Sequence, residues 1–149
     1  MSKTTAFWDA SALVPLCVRE STSQQAQSHL RKYAPAVWWG SPVEVHSAIS
    51  RLHRQCQLND AGKLGALARL GVLRNGWKEI LPGDEVRELA GNLLDRFALR
   101  SADSLQLAAA LTWCQQRPSK RVFVCADSRL SGAAESAGFS VLRLSISLP

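Results

Sequence analysis

No run in this sequence comes near the roughly 18 consecutive apolar residues of a membrane span, so no membrane partner is expected. Paired cysteines are missing too. Cys17, Cys56, Cys114 and Cys125 stand far apart without a Cys-x-x-Cys, which argues against a zinc site or a thiol redox motif. Most lie in apolar contexts and read as small core residues of a reducing compartment, with the cytoplasm as the expected location. The opening stretch, MSKTTAFWDASALVPL, makes a poor signal peptide because Asp9 interrupts its apolar part; it reads better as a strand. Repeats, low-complexity tracts and linkers are absent, as are a P-loop and any Ser/His/Asp set. Acids are scarce: 12 Asp and Glu stand against 18 Lys and Arg, a net charge of +6. That excess favours an anionic partner without naming it.

What is present describes a globular chain. Hydrophobic residues make up 46% and charged residues 20% of 149 positions, enough for one domain spanning 1–149 with a real core. TTAFWDAS reads as a buried strand ending at Asp9, followed by a helix from about Ser11 to Arg19 that Pro15 should bend or shorten. A helix over Thr22 to Tyr33 and a strand in PAVWWGSP come next. SPVEVHSAISRLHRQC opens a helix with Ser41 as N-cap and Pro42 at the first position. Asn59 and Asp60 start another helix that ends near RNG, and WKEILP forms a short strand. GDEVRELAGNLLDRFA and SADSLQLAAALTWCQQR are helical, the latter capped by Ser101 with Leu105, Ala108, Ala109 and Thr112 facing inward. RVFVCAD is the clearest strand, then a short helix runs to Gly138 and FSVLRLS closes the pattern. Alternation of this kind implies an α/β fold with three layers, α/β/α, around a mostly parallel central sheet.

Ligands of such sheets bind beyond the carboxyl ends of the strands. Asp9 ends the first strand and Asp127 ends RVFVCA, so parallel pairing brings both to one edge. Glu44 lies in the first turn of a helix that follows a strand, at that same edge. The helix carrying Asp103 leads into the start of RVFVCA at the opposite edge, so its own beginning must return to Asp127. Each acid also has a plain structural role: Asp9, Asp103 and Asp127 as cap or turn residues, Glu44 in a Ser41–Glu44 capping box. Four like charges gathered together, however, disfavour ionisation unless a cation or a shared proton offsets them. Oxygen donors suit Mg²⁺ or Mn²⁺ rather than zinc, and His46 and His53, seven residues apart, read as packing or surface residues. With four acids at a cation, eight remain against the 18 basic residues. Arg51, Arg54, Arg69 and Arg74 concentrate in a stretch whose only acid is Asp60. They read either as a solvated helical face or as contacts to RNA phosphates.

At this level of detail the chain resembles the PIN-domain family, and within it the VapC-type toxins of bacterial toxin–antitoxin pairs. FWDASALVPLCVRE is similar to the family's first acidic segment, with Asp9 and the hydroxyl of Ser11. SPVEVHSAISRLHR resembles the second, with Glu44. RSADSLQLAAAL resembles the third, with Asp103 and Arg100 three residues ahead, and VFVCADSRLSGAAESAGFSVL the fourth, with Asp127 followed by Ser128. The resemblance implies a Mg²⁺-dependent endoribonuclease whose four acids hold the metal while Ser11, Arg100 and Ser128 support them. It further implies a homodimer and a cognate VapB-type antitoxin whose tail enters the acidic pocket. Gln106 stands where the family often has His, and Cys125 where it often has Thr; a thiol is a weak donor, so hydrogen bonding beside the fourth acid should differ. Alternatives are a PIN nuclease outside toxin–antitoxin systems and a PIN scaffold that binds RNA or protein without cleaving. Receiver domains and aspartate-nucleophile phosphatases fit poorly, because Asp9 has no acidic neighbour and Ser11 stands where the phosphatase needs its second acid.

Overall fold

The computed structural model describes residues 3–145; residues 1–2 and 146–149, the ends of the span expected above, lie outside the described residues. In chain order the elements are β1 (Thr4–Trp8), α1 (Ala10–Cys17), α2 (Ser23–Lys32), β2 (Tyr33–Trp38), α3 (Ser41–Arg54) and α4 (Asp60–Gly76). They continue with β3 (Lys78–Ile80), α5 (Asp84–Arg96), α6 (Ser101–Trp113), β4 (Val122–Cys125), α7 (Ser128–Ala137) and β5 (Ser140–Arg143). The five described strands form one sheet in the order β3-β2-β1-β4-β5, and every pairing is parallel. Strand order reverses at β1, which places the topological switch point between the carboxyl ends of β1 and β4. Among the described residues no helix is long and apolar enough to cross a membrane.

Strand alternation divides the core into two layers. Phe7, Ala36, Trp38, Phe123 and Cys125 face α5, α6 and α7. Ala6, Trp8, Val37 and Val124 face α1, α3 and α4. Phe7 stacks on Phe123 across β1 and β4, with ring centroids 5.5 Å apart, and each such buried ring contributes roughly 1.5–3 kcal/mol. The inner strands are apolar on both sides, as a parallel sheet covered twice requires. Gly138 ends α7 at φ 115, and a Cβ there would meet Pro118 at 3.0 Å. Only glycine suits that turn.

Several local expectations shift. Pro15 sits inside α1, which stops two residues later at Cys17. Asn59 caps α4, accepting from the Gly62 N–H at 2.7 Å, as its sequence position suggested. Ser101 is not the cap of α6, because Arg100 takes that place. The helix ends at Trp113 rather than Arg117, since Gln115 and Gln116 adopt positive φ of 55° and 59° and close the turn. The inward stripe of α6 is broader than read from its sequence: Ala108 and Ala109 are fully buried, Leu105 packs against the core and Thr112 is half-buried, but Gln106, Leu107 and Ala110 are fully enclosed as well. The sheet lies on one side of this helix and α5 and α7 on others, so little of it is left to carry a polar face. At α3 the cap is Gly40 and Ser41 is already helical and buried. A Cβ on Gly40 would lie 2.6 Å from the Trp38 indole nitrogen, so the chain leaves β2 through the one residue small enough.

Candidate active site at the sheet's carboxyl edge

Asp9 is where β1 ends and α1 begins. Its N–H donates to the Val124 carbonyl at 3.0 Å, tying the end of β1 to β4. Its carboxylate caps α1, accepting from the Ser11 N–H at 3.2 Å and from the Ser11 hydroxyl. The Ser11 Oγ in turn accepts from the Ala126 N–H at 2.9 Å, so one hydroxyl joins both sides of the switch point. The Cys125 thiol completes the cluster, 3.6 Å from Asp9 Oδ2 and 3.4 Å from the Asp127 carbonyl. It therefore touches the first acid as well as the fourth. Asp9 is almost wholly buried; burial carries its carboxyl from 3.8 to about 6 against the opposing pull of the Ser11 hydrogen bonds. Burial and the nearby Asp9 push the Cys125 thiol to about 12, so it is a neutral neighbour.

Asp127 performs the matching task at the end of β4. Its Oδ1 accepts from the Leu130 N–H at 2.8 Å and caps α7. Glu44 and Asp103 arrive differently, inside the first turns of α3 and α6. The expected Ser41–Glu44 capping box does not form. Instead Gln106 Nε2 donates to Glu44 Oε2 at 2.6 Å and to Ser41 Oγ at 3.0 Å, since Ser41 is one residue too far into the helix to cap it. Burial, with Asp9 and Asp103 nearby, raises the Glu44 carboxyl to about 7. Asp103 is also raised, by burial and then by Asp127, while Arg100 and Arg129 pull it back.

A cavity of about 420 Å³ opens here, lined by Glu44, Arg100, Ala102, Asp103, Asp127, Ser128 and Arg129. Asp9 lies beside its lining rather than in it. A larger cavity of about 760 Å³, lined by residues from Arg19 to Arg31, gathers no such set of carboxyls. Among the described residues none of the four acids forms an ion pair with Lys, Arg or His. Nor do any three His, Cys, Asp or Glu side chains among them stand close enough, as placed, to hold a metal ion between them. The carboxyls share an edge and sense one another's charge, and like charges oppose closer approach unless a cation offsets them. An all-oxygen set with one buried carboxyl and no close ion pair among the described residues is chemically suited to a hard divalent cation.

The basic stretch is elsewhere. None of Arg51, Arg54, Arg69 and Arg74 lines the acidic cavity. Arg51 and Arg54 are placed in the last turn of α3, with Arg51 and Arg54 both open to solvent. Arg69 Nε donates to the Cys17 carbonyl at 2.7 Å, satisfying the C-terminal end of α1. Arg74 Nε stands 4.0 Å from Glu79 Oε2. His53 pairs with Asp60 at 2.7 Å and His46 is exposed, so neither histidine joins the acids. Sequence reasoning passed over Arg129, although its place two residues after Asp127 was a usable signal. Gln106 registered only as a departure from a pattern, because its partner is 62 positions away.

No family model matches the chain. Ribonuclease VapC46 of Mycobacterium tuberculosis (strain ATCC 25618 / H37Rv) is 34% identical over 143 residues, covering 91% of this chain and 95% of that protein. Among solved structures, a toxin–antitoxin complex from Klebsiella pneumoniae matches with a TM-score of 0.63 at 15% identity, over 86% of this chain and 92% of that one. The second likeness speaks for the fold. The first carries further.

Proposed function

The chain belongs to the VapC ribonuclease family, and from that premise we propose that it is a divalent-cation-dependent endoribonuclease acting as the toxin of a toxin–antitoxin pair. The observation that carries the reading is one cavity at the sheet's carboxyl edge lined by Glu44, Asp103 and Asp127 and flanked by two arginines, with Asp9 buried next to it. Asp9, Glu44, Asp103 and Asp127 would hold Mg²⁺ or Mn²⁺. When bound, such a cation supplies an activated water and charge stabilisation at a scissile phosphate.

The chain's own residues have separate tasks in this reading. Ser11 and the Cys125 thiol keep the Asp9 carboxyl in place. Ser128 lines the cavity wall beside Asp127. Arg100 and Arg129, at the starts of α6 and α7, bind the RNA backbone across the cavity, since a guanidinium is a bidentate partner for phosphate, and oppose the upward shift that burial and Asp127 impose on Asp103. Arg51 and Arg54 extend phosphate contacts along the surface. A VapB-type antitoxin and a second copy of the chain are the proposed protein partners.

The test is Asp103→Asn, which keeps the shape but removes the charge. Wild-type protein should cleave RNA only with Mg²⁺ or Mn²⁺ and arrest growth when expressed without an antitoxin. The variant should fold, lose cleavage and be tolerated at the same protein level. A folded Asp103→Asn protein with full activity would remove Asp103 from the cation and return it to a helix-end role.

A further inference from the structure

Gln106 is fully buried on α6, three residues after Asp103 and therefore on the same side of the helix, one turn along. Its Nε2 is shared between Glu44 Oε2 at 2.6 Å and Ser41 Oγ at 3.0 Å, both on α3, a helix of the opposite layer. Placed this way the amide offers its N–H to the ionised Glu44 carboxylate, the form that would bind a cation; turned over, Oε1 could pair only with a protonated Glu44. In the orientation adopted, Oε1 is buried without a partner. An apolar side chain of equal length would fill this space without stranding an acceptor, so packing does not explain the residue. Asp9 and Asp127 are held by the main chain of the helices they cap, whereas Glu44 is held by this amide.

We infer that Gln106 is the positioning residue of Glu44, bridging α6 and α3 so that Glu44 and Asp103 are presented to a divalent cation at a fixed spacing. The inference rests on the proposed cation site. It gives the stranded Oε1 a reason: the amide is retained for its donor end. Partners that orient metal-ligating carboxylates are worth about 10–100-fold in metal affinity.

The experiment titrates Mn²⁺ into the full chain, read by calorimetry and by the shift in thermal midpoint, for wild type, Glu44→Gln, Gln106→Met, Gln106→His and Gln106→Asn. Gln106→Met loses the donor and the stranded acceptor together, so its midpoint in chelator should stay near wild type. Its half-saturating Mn²⁺ should rise about tenfold or more. Gln106→His, which can present an N–H, should recover most of that loss, and Gln106→Asn, one methylene too short, should not. Should Gln106→Met fail to fold, the His and Asn pair carries the comparison. Wild-type Mn²⁺ affinity in both Gln106→Met and Gln106→Asn overturns the role of Gln106 while leaving the cation site standing. No Mn²⁺ response in wild type overturns the cation site and the inference with it, and an unchanged one in Glu44→Gln removes Glu44 from the cation and overturns the inference while leaving the site of the other acids standing.

Discussion

The acids at the strand ends and the acids on the helices reach the same edge by different means. Asp9 and Asp127 cap α1 and α7, so each satisfies an orphan N–H that the fold leaves exposed, whatever else it does. Glu44 and Asp103 lie within first turns whose caps are Gly40 and Arg100. The fold does not need them as caps. A carboxyl with no cap to make, half-buried beside two others, is best accounted for by chemistry. The pair at the strand ends serves architecture and chemistry together, and substitutions should separate the two.

The largest expected effect is on cleavage. Asp103→Asn should reduce RNA hydrolysis on the order of 10²-fold or more, because charge aimed at the reacting phosphate is removed. Glu44→Gln should fall in the same class. Both should retain the fold by circular dichroism and thermal melting. Asp103→Asn cleaving at the wild-type rate would erase the distinction between the two pairs.

Next comes the energy held in the cluster. Burial carries Asp9 from 3.8 to about 6 and Glu44 from 4.5 to about 7. Both carboxyls keep their protons longer in the folded chain than in the unfolded one. Their contribution to stability is therefore fully present below about pH 4 and is lost as pH rises through about 6 to 7. In chelator the protein should be more stable at pH 5 than at pH 8, by about 1.4 kcal/mol from Asp9. Glu44 adds less, being partly exposed and screened. Saturating Mg²⁺ at pH 8 should restore the difference, and Asp9→Asn in chelator at pH 8 should melt above wild type. Flat stability between pH 5 and 8 in chelator would show that burial does not hold the Asp9 and Glu44 carboxyls above their ordinary range.

Much of this was legible in the sequence. The five strands and seven helices could be placed from alternation, from Asn59 and from Gly138, because these signals are local. The meeting of Asp9 with Asp127 followed from parallel pairing alone. What escaped was set by packing. Ser41 looks like an N-cap beside Pro42, but the chain turns at Gly40 because Trp38 leaves room for no Cβ. SADSLQLAAALTW has an apolar stripe on paper, yet enclosure on several sides buries Gln106 as thoroughly as Leu107. Charge alone could not separate Arg69, bonded to the main chain of α1, from Arg51 and Arg54 at the surface.

A smaller effect sharpens the contrast between the acid pairs. Asp127→Ala should cost about 1 kcal/mol in chelator, the usual loss for a helix cap. Asp103→Ala should cost less than that, or raise the melting midpoint, since it removes a repelling charge without removing a cap. Equal losses in the two variants would mean that Asp103 supports its helix as strongly as Asp127 supports α7.

The smallest effects concern the basic stretch, where the same division between structural and free side chains recurs. Arg69 donates to the Cys17 carbonyl, so Arg69→Gln should lower stability by about 1 kcal/mol with little change in how RNA binding responds to salt. Arg51 and Arg54 have no ion-pair partner among the described residues, so Arg51→Gln with Arg54→Gln should leave the melting midpoint almost unchanged. If both meet phosphates, the logarithmic salt dependence of RNA binding should flatten by about 0.7 for each single-strand phosphate left without its arginine. KM for RNA should then rise more than kcat falls, because these arginines lie outside the cavity where the bond is cut. An unchanged salt slope in the double variant would leave the two residues as complements to the negative end of α3, a role worth about 0.3–1 kcal/mol, and would assign the backbone binding to Arg100 and Arg129 at the cavity itself.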